Sequence, residues 1–323
     1  MAKLCIGIDL GGTFIKFGLL DGQRNPGRTF PLPTPVDRGA EGVVEQMVQG
    51  AEKLIRDEGI PRDQVMGVGI GSPGPINLSD GIIISMPNIP GMDDCPLRDR
   101  VSAGLNLPAV LENDANAAAY GEYVCGAGGN SGDMVLLTLG TGIGSGIILD
   151  GKILHGSHEI GGELGHMIVA PGGELCGCGQ RGCLERHSSA TYMAQYAARL
   201  IREEGRPSSL REVLDRKGGI DAADVNAARR AGDALAVEVW DRAVHYLAVA
   251  CVNICRIFDP ERIVLAGGLT KAGDDLMDPL REHFRQMHWT LSAPKTELLL
   301  SSLGNDAGVI GAAGVAWSAF GGR

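Results

Sequence analysis

The chain has 323 residues, 44% of them hydrophobic and 21% charged, with 49 glycines and only 4% aromatics. This is the make-up of one large or two medium globular domains with a full core, and it excludes disordered and fibrous chains. A net charge of −10 at pH 7 argues against a nucleic-acid surface, although glycine turns hold phosphates through backbone N–H groups that net charge does not register.

In chain order, Met1 to Asp9 lacks the basic flank and long apolar stretch of a signal peptide. Leu4, Ile6, Ile8 and Leu10 alternate as on one face of a strand. Gly11-Gly12 turns into a second apolar run, Thr13 to Leu20, and Asp21-Gly22 turns again, which predicts a three-stranded meander ending near Phe30. Arg24 to Arg38, with four prolines, reads as a surface loop. Gly39 to Gly59 has helical periodicity. Val65 to Ile70 and Pro108 to Leu111 are short buried strands, the second leading into a helix from Ala115 to Tyr123.

The second half repeats the theme. Met134 to Leu139 and Gly146 to Leu149 are strands around a Gly-Thr-Gly turn, and Thr191 to about Phe258 is mostly helical. The apolar stretch Ala243 to Phe258 carries His245, Asn253 and Arg256, too polar to span a membrane. Trp240 to Phe258 offers either core or a dimer contact. Arg262 to Ala266 is one more strand, and Ala307 to Phe320 a helix of small residues. The echo between halves predicts two similar lobes, with a ligand cleft between them.

His166, Cys176, Cys178 and Cys183, spaced H-x9-C-x-C-x4-C, have the ligand count and chemistry of a closed tetrahedral zinc site. Glycines 177, 179 and 182 let the loop fold back so that its sulfurs converge, and Glu163 and Glu185 bracket it. The knot is either a frame for a polar ligand site or a stabilising ribbon with incidental acids. The other five cysteines lie in apolar or small-residue surroundings and fit reduced thiols in a cytoplasmic protein better than a disulfide scaffold.

Asp9-Leu-Gly11-Gly12-Thr13 places an acid at a strand end before a turn of free N–H groups and one hydroxyl. Such a turn cradles phosphate, and Asp9 would hold Mg²⁺ through water; a simple hairpin is the plainer explanation. Gly140-Thr141-Gly142-Ile143-Gly144 is a second turn of this kind. Neither is a Walker sequence or a dinucleotide fingerprint. Gly267-Gly268, after a strand, would let a flat base approach or simply make a turn. Glu112-Asn113-Asp114-Ala-Asn116 puts four polar side chains in five positions after an apolar strand. An N-cap accounts for one of them, and a carboxylate there suits a general base for a hydroxyl, with the neighbouring amide fixing that hydroxyl.

Together with Glu163-x-x-His166, Cys176-x-Cys178-x4-Cys183-x-Glu185 and Leu265-Ala-Gly-Gly268, these motifs resemble the ROK family of sugar kinases, within the actin-like ATPase superfamily, over essentially the whole chain. The resemblance implies an α/β, two-lobed actin-like ATPase fold, a duplicated ribonuclease-H-like design with a structural zinc loop. Residues 1–115 with about 307–323 would form a small lobe, and 116–306 a larger one carrying the zinc motif 166–183. It implies ATP, Mg²⁺ and Zn²⁺, with Asp114 as catalytic base and Asn113 beside it on the sugar. Glu163, His166 and Glu185 would hold sugar hydroxyls, His166 using its other ring nitrogen for zinc, and Gly74 and Asn88 lie in segments that touch the sugar. Gly11, Gly12, Thr13, Thr141 and Gly142 would hold phosphates, and Gly267 and Gly268 line the adenosine pocket. Where the family commonly has Lys or Asn after the threonine this chain has Phe14, and Lys16 is the candidate for that charge.

The activity so implied is transfer of phosphate from ATP to a hexose, in a homodimer or dimer of dimers. Ser188-Ser-Ala-Thr191 after Glu185 resembles the family's glucokinases more than kinases of N-acetylmannosamine or N-acetylglucosamine; fructokinase is a further alternative. The family's repressors carry a DNA-binding segment ahead of the first phosphate motif, for which Asp9 is too close to Met1. A polyphosphate donor is disfavoured because the full zinc motif goes with ATP-dependent members.

Overall fold

The computed structural model describes residues 3–129, 131–288 and 295–321. Its first half contains β1 (Leu4–Leu10), β2 (Phe14–Asp21), β3 (Pro26–Pro33), α1 (Gly39–Asp57), β4 (Val65–Ser72), β5 (Ile76–Asn77), β6 (Ile82–Ile83), α2 (Leu97–Leu105), β7 (Ala109–Asn113) and α3 (Asp114–Cys125). The second contains β8 (Met134–Leu139), β9 (Ile143–Leu149), β10 (Lys152–Ile153), α4 (Glu185–Ser188), α5 (Ala190–Arg202), α6 (Leu210–Lys217), α7 (Ala222–Arg230), α8 (Ala234–Phe258), β11 (Arg262–Ala266), α9 (Asp274–Met287), β12 (Glu297–Leu300) and α10 (Ala307–Phe320).

Two five-stranded sheets have the same design. One runs β3-β2-β1-β4-β7 and the other β10-β9-β8-β11-β12. In the first, β1–β2 and β2–β3 are antiparallel while β1–β4 and β4–β7 are parallel. In the second, β9–β10 is antiparallel while β8–β11 and β11–β12 are parallel. This is the duplicated ribonuclease-H-like pattern expected from the resemblance. The chain divides into two compact units: Met1–Ser131, Gly146–Gly161 and Ser301–Arg323 in one, Gly132–Ser145 and Gly162–Leu300 in the other.

The first unit shows how strand alternation sorts its two faces. Ile6, Ile8, Val68 and Ile70 belong to the core that includes Val43, Met47, Ala51 and Leu54 of α1. Between them on β1 and β4 stand Gly7, Gly67 and Gly69, facing α10. A Cβ at Gly7 would lie 1.9 Å from the Val309 carbonyl oxygen, and one at Gly69 1.8 Å from that of Ala312. Absent side chains thus bring helix backbone onto sheet backbone, a contact that any larger residue forces apart. The crossing of α10 with α3 is equally close, since a Cβ at Gly311 would meet the Ala117 carbonyl at 1.6 Å. Buried on almost every side, α10 explains its own lack of a polar face.

In the second unit α8 is the main helix, packed against α4, α5, α7 and α9. Trp240, Val244, Leu247, Cys251 and Ile254 are buried within it, so its apolar stripe is core, while Val237 and Ile257 are exposed. Asp233 starts it by accepting the Ala236 N–H at 3.0 Å.

The expected three-stranded meander is present, but its third strand runs to Pro33, so residues 26–33 are an edge strand and not part of a surface loop, with Pro26, Pro31 and Pro33 opposite Leu20, Lys16 and Phe14. Proline lacks the N–H of an inner strand, and an edge strand tolerates that loss. Cys5, Cys95, Cys251 and Cys255 are buried thiols and Cys125 is half-buried; all eight cysteines are free. No described helix is long and apolar enough to cross a membrane.

Candidate functional site

In the first unit the reactive groups gather where β1, β4 and β7 end. Asp114 opens α3 directly after β7, and Asn113 is the N-cap, its Oδ1 accepting the N–H groups of Ala115 (2.9 Å) and Asn116 (3.2 Å). Capping therefore occupies the Asn113 oxygen and leaves its NH₂ to donate elsewhere. Asp114 Oδ1 also accepts the Ala115 N–H, at 2.8 Å. Burial raises the Asp114 carboxyl above its ordinary value, only partly opposed by that backbone bond. Asp9 is pushed up to about 6, first by burial and then by the neighbouring Asp114 and Asp306, with Lys16 opposing. Gly308, in the first turn of α10, has no side chain to fill the space beside Asp9; a Cβ there would sit 2.9 Å from its Oδ2.

The turn after Asp9 is open at Gly12 and Thr13. It is closed by the Gly11 N–H donating to the Phe14 carbonyl at 3.0 Å and braced by Thr34, whose Oγ1 donates to the Gly11 carbonyl at 2.6 Å. Lys16 stands opposite Asp9 in the β1–β2 register and donates to the Asn305 carbonyl. Its charge thus serves Asp9, while Phe14 is 49% exposed. Gly74 (φ 90°) and Asn88 lie on exposed stretches flanking the β5–β6 hairpin.

In the second unit three predicted segments come together. Glu185 Oε2 accepts the Ile143 N–H at 3.0 Å, and a Cβ at Gly142 would lie 2.2 Å from that oxygen. The Glu163–His166 turn backs onto the same strand, where a Cβ at Gly165 would be 1.9 Å from the Ile143 carbonyl. Ser145 ties them, its Oγ accepting the Leu164 N–H at 2.9 Å. Glu163 itself is exposed and His166 half-buried.

The donor atoms of His166, Cys176, Cys178 and Cys183 all lie within 4.8 Å of one another. Cys178 and Cys183 sulfurs are 3.7 Å apart, and Cys176 Sγ is 3.7 Å from His166 Nδ1. Tetrahedral zinc with its usual bond lengths sets such pairs at about 3.5–3.8 Å, so the cluster fits the metal. Gln180 Nε2 donates to the His166 carbonyl (2.6 Å) and approaches Cys183 Sγ (3.1 Å), the kind of outer support that fixes ligand orientation.

Two adjoining cavities of about 670 and 560 Å³ lie in this unit, both bordered by Gly268. Thr141 lines the first, and Trp240, Asn226 and Arg230 line the second. Gly267, at φ 91°, packs against β8, where a Cβ would be 2.6 Å from the Leu139 carbonyl.

Sequence reasoning missed His155, whose Nε2 lies 2.7 Å from Glu112 Oε2, and Thr34; neither sits in a motif. It also missed the bond from Ile143 to Glu185, although the fixed glycine at 142 hinted at a close neighbour.

The family profile described as "ROK family" matches residues 5–318. A glucokinase of Halalkalibacterium halodurans is 39% identical over 307 residues, 95% of this chain and 92% of that one. A ROK hexokinase from Thermus thermophilus superimposes with a TM-score of 0.83 at 33% identity, covering 98% of each chain. A ROK family glucokinase from Streptomyces griseus, solved with glucose and AMPPNP, gives 0.75 at 34% identity over 98% of this chain and 99% of that one. Both sheets, the zinc-type knot and the profile over nearly the full length agree: the chain belongs to the ROK family.

Proposed function

We propose that the protein is an ATP-dependent glucokinase that phosphorylates the sugar 6-hydroxyl. The observation that carries the reading is the Asp114 corner: a carboxylate at a strand end, buried enough to hold its proton more tightly than an ordinary aspartate. A base of that kind suits deprotonation of a weakly acidic hydroxyl as phosphoryl transfer proceeds. Full-length similarity to glucokinases supports the choice of substrate.

Phosphoryl transfer asks little covalent work of the protein, so the residues act by positioning and by charge. Asp114 accepts the hydroxyl proton, and the Asn113 NH₂ donates to the sugar. Glu163, His166 and Glu185 take sugar hydroxyls, and Gly74 and Asn88 are assigned to the sugar as well. The backbone N–H groups of Gly12, Thr13, Thr141 and Gly142 suit phosphate oxygens, and Gly11, whose own N–H closes the first turn on the Phe14 carbonyl, is assigned to shaping that cradle. Gly267 and Gly268 are assigned to adenosine, in keeping with the cavities that Gly268 borders. Asp9 would hold Mg²⁺, which supplies neutralisation of phosphate charge. Four protein donors leave zinc no open position, so its role is to hold the loop carrying Glu163 and Glu185.

The test is ADP release from MgATP with glucose, mannose, fructose, N-acetylglucosamine and N-acetylmannosamine. A kcat/KM for glucose at least about tenfold above the others is expected, the scale one well-placed polar contact supplies. Preference for an N-acetylated sugar would reassign the acceptor, and absence of turnover on all five would overturn the kinase reading.

A further inference from the structure

Glu112, directly before the Asn113–Asp114 corner, is 3% exposed. A carboxylate that deep is costly unless its oxygens are occupied. Oε1 accepts the Asn113 backbone N–H at 2.9 Å and the Asn116 side-chain amide at 3.0 Å, so it holds the chain on both sides of Asp114. Oε2 meets His155 Nε2 at 2.7 Å. His155 follows β10, and its carbonyl accepts the Gly161 N–H at 2.8 Å, closing the loop 155–161. That loop is anchored again at Glu159, which accepts the Leu78 N–H at 2.8 Å and a bond from the Ser79 hydroxyl. The imidazole is thus delivered to Glu112 by a segment fixed at two points. Its ionisation agrees, since the hydrogen bond to Glu112 raises His155 above its ordinary value despite burial.

We propose that Glu112 and His155 are a positioning pair for Asp114, with His155 holding Glu112 in the rotamer that clamps the strand-to-helix corner from behind. Neither touches substrate. The inference rests on Asp114 being the proton acceptor. An acceptor displaced by a fraction of an ångström loses rate while the ground-state sugar contacts remain, so the effect falls on kcat.

The test compares four variants of the enzyme, the fourth being Glu112→Gln. His155→Leu removes the donor. His155→Gln keeps an N–H toward Glu112 and, at a side chain 36% exposed, is the variant least exposed to a folding failure. Asp114→Asn reports on the base itself. His155→Leu is expected to lower kcat about tenfold, a modest misplacement cost, with the KM for glucose and for ATP each within about twofold. His155→Gln is expected to restore most of that loss. Wild-type kcat in His155→Leu, or a KM for glucose that rises in step with the loss, overturns the proposal, as does His155→Gln if it is as slow as His155→Leu. Should His155→Leu not fold, near-wild-type kcat in His155→Gln against a tenfold loss in Glu112→Gln supports the pair, and a slow His155→Gln overturns it. An inactive Asp114→Asn beside a fully active His155→Leu sinks this inference alone. A near-normal Asp114→Asn sinks the reading of the base and this inference with it.

Discussion

The two glycine–threonine turns are built on one frame and differ in the charge placed beside them. β1 and β8 hold the same central place in sheets of the same strand order. Two residues before the first glycine of each turn, the first sheet has Asp9 and the second Thr138. Thr138 is satisfied at home, its Oγ1 accepting the Gly144 N–H at 3.0 Å. Asp9 is a buried acid pushed up to about 6 and opposed by Lys16 across the hairpin. The two sheets thus carry matching glycine–threonine turns, while charge is placed in one. The charged copy lies beside Asp114 and Asp306; the neutral one lies beside the Glu185 bond and the Cys/His knot.

If the charged half carries the chemistry, the largest effect belongs to Asp114→Asn, with kcat expected to fall at least about 100-fold, the scale of a lost general base. Steady-state turnover close to wild type would erase the distinction between the halves. Cys178→Ser comes next. Bound zinc, counted by elemental analysis, should fall below one per chain and the KM for glucose rise about tenfold or more, as support for a ligand-bearing loop is lost. A zinc-free variant with unchanged KM would show the neutral half needs no metal frame.

Asp9→Asn separates activity from stability. Activity should drop about tenfold for the loss of one fixed charge at the phosphates. Stability should move the other way. Asp9 binds its proton more tightly folded than unfolded, where its ordinary value is 3.8. The stability it contributes is therefore complete below that value and lost as pH rises through about 6. Thermal unfolding of Asp9→Asn should thus occur about 2–5 °C above wild type at pH 8, with the gain gone below about pH 4. A variant less stable at pH 8 would contradict the burial argument. Thr138→Val should do least, losing about 1 kcal/mol for one internal hydrogen bond with kcat within about threefold. A large kcat loss there would mean the second turn's hydroxyl also acts in the reaction.

Local pattern made much of this legible. Strand alternation marked β1, a short apolar run marked β4, helical spacing marked α1, and the Cys/His spacing anticipated a cluster whose donors do converge. The strand-end run at 112–116 marked the Asp114 corner and called for a cap at Asn113 or Asp114, and the structure gives it to Asn113. Long-range pairing was not legible. The partner of Glu112 is 43 residues away and that of the Ile143 N–H is 42 away. Glu122, fully buried, accepts from Ser301 (2.6 Å) and Leu303 (2.8 Å) near the other end of the chain. Periodicity carries no information about such meetings. The extent of edge strand β3 was misjudged for a different reason: the meander was legible, but the prolines argue for a loop on propensity, and an edge position makes them harmless.

The glycine face of β1 and β4 has a consequence for biosynthesis. The helix that covers it, α10, is translated after β1 and after the second unit. The first unit therefore waits, its central sheet bare on one side, until the second unit has been synthesised. Domain-by-domain folding from the leading end is closed to a body whose keystone arrives last. During that interval the glycine face of the sheet has no native partner, and ribosome stalling late in the message would leave it so.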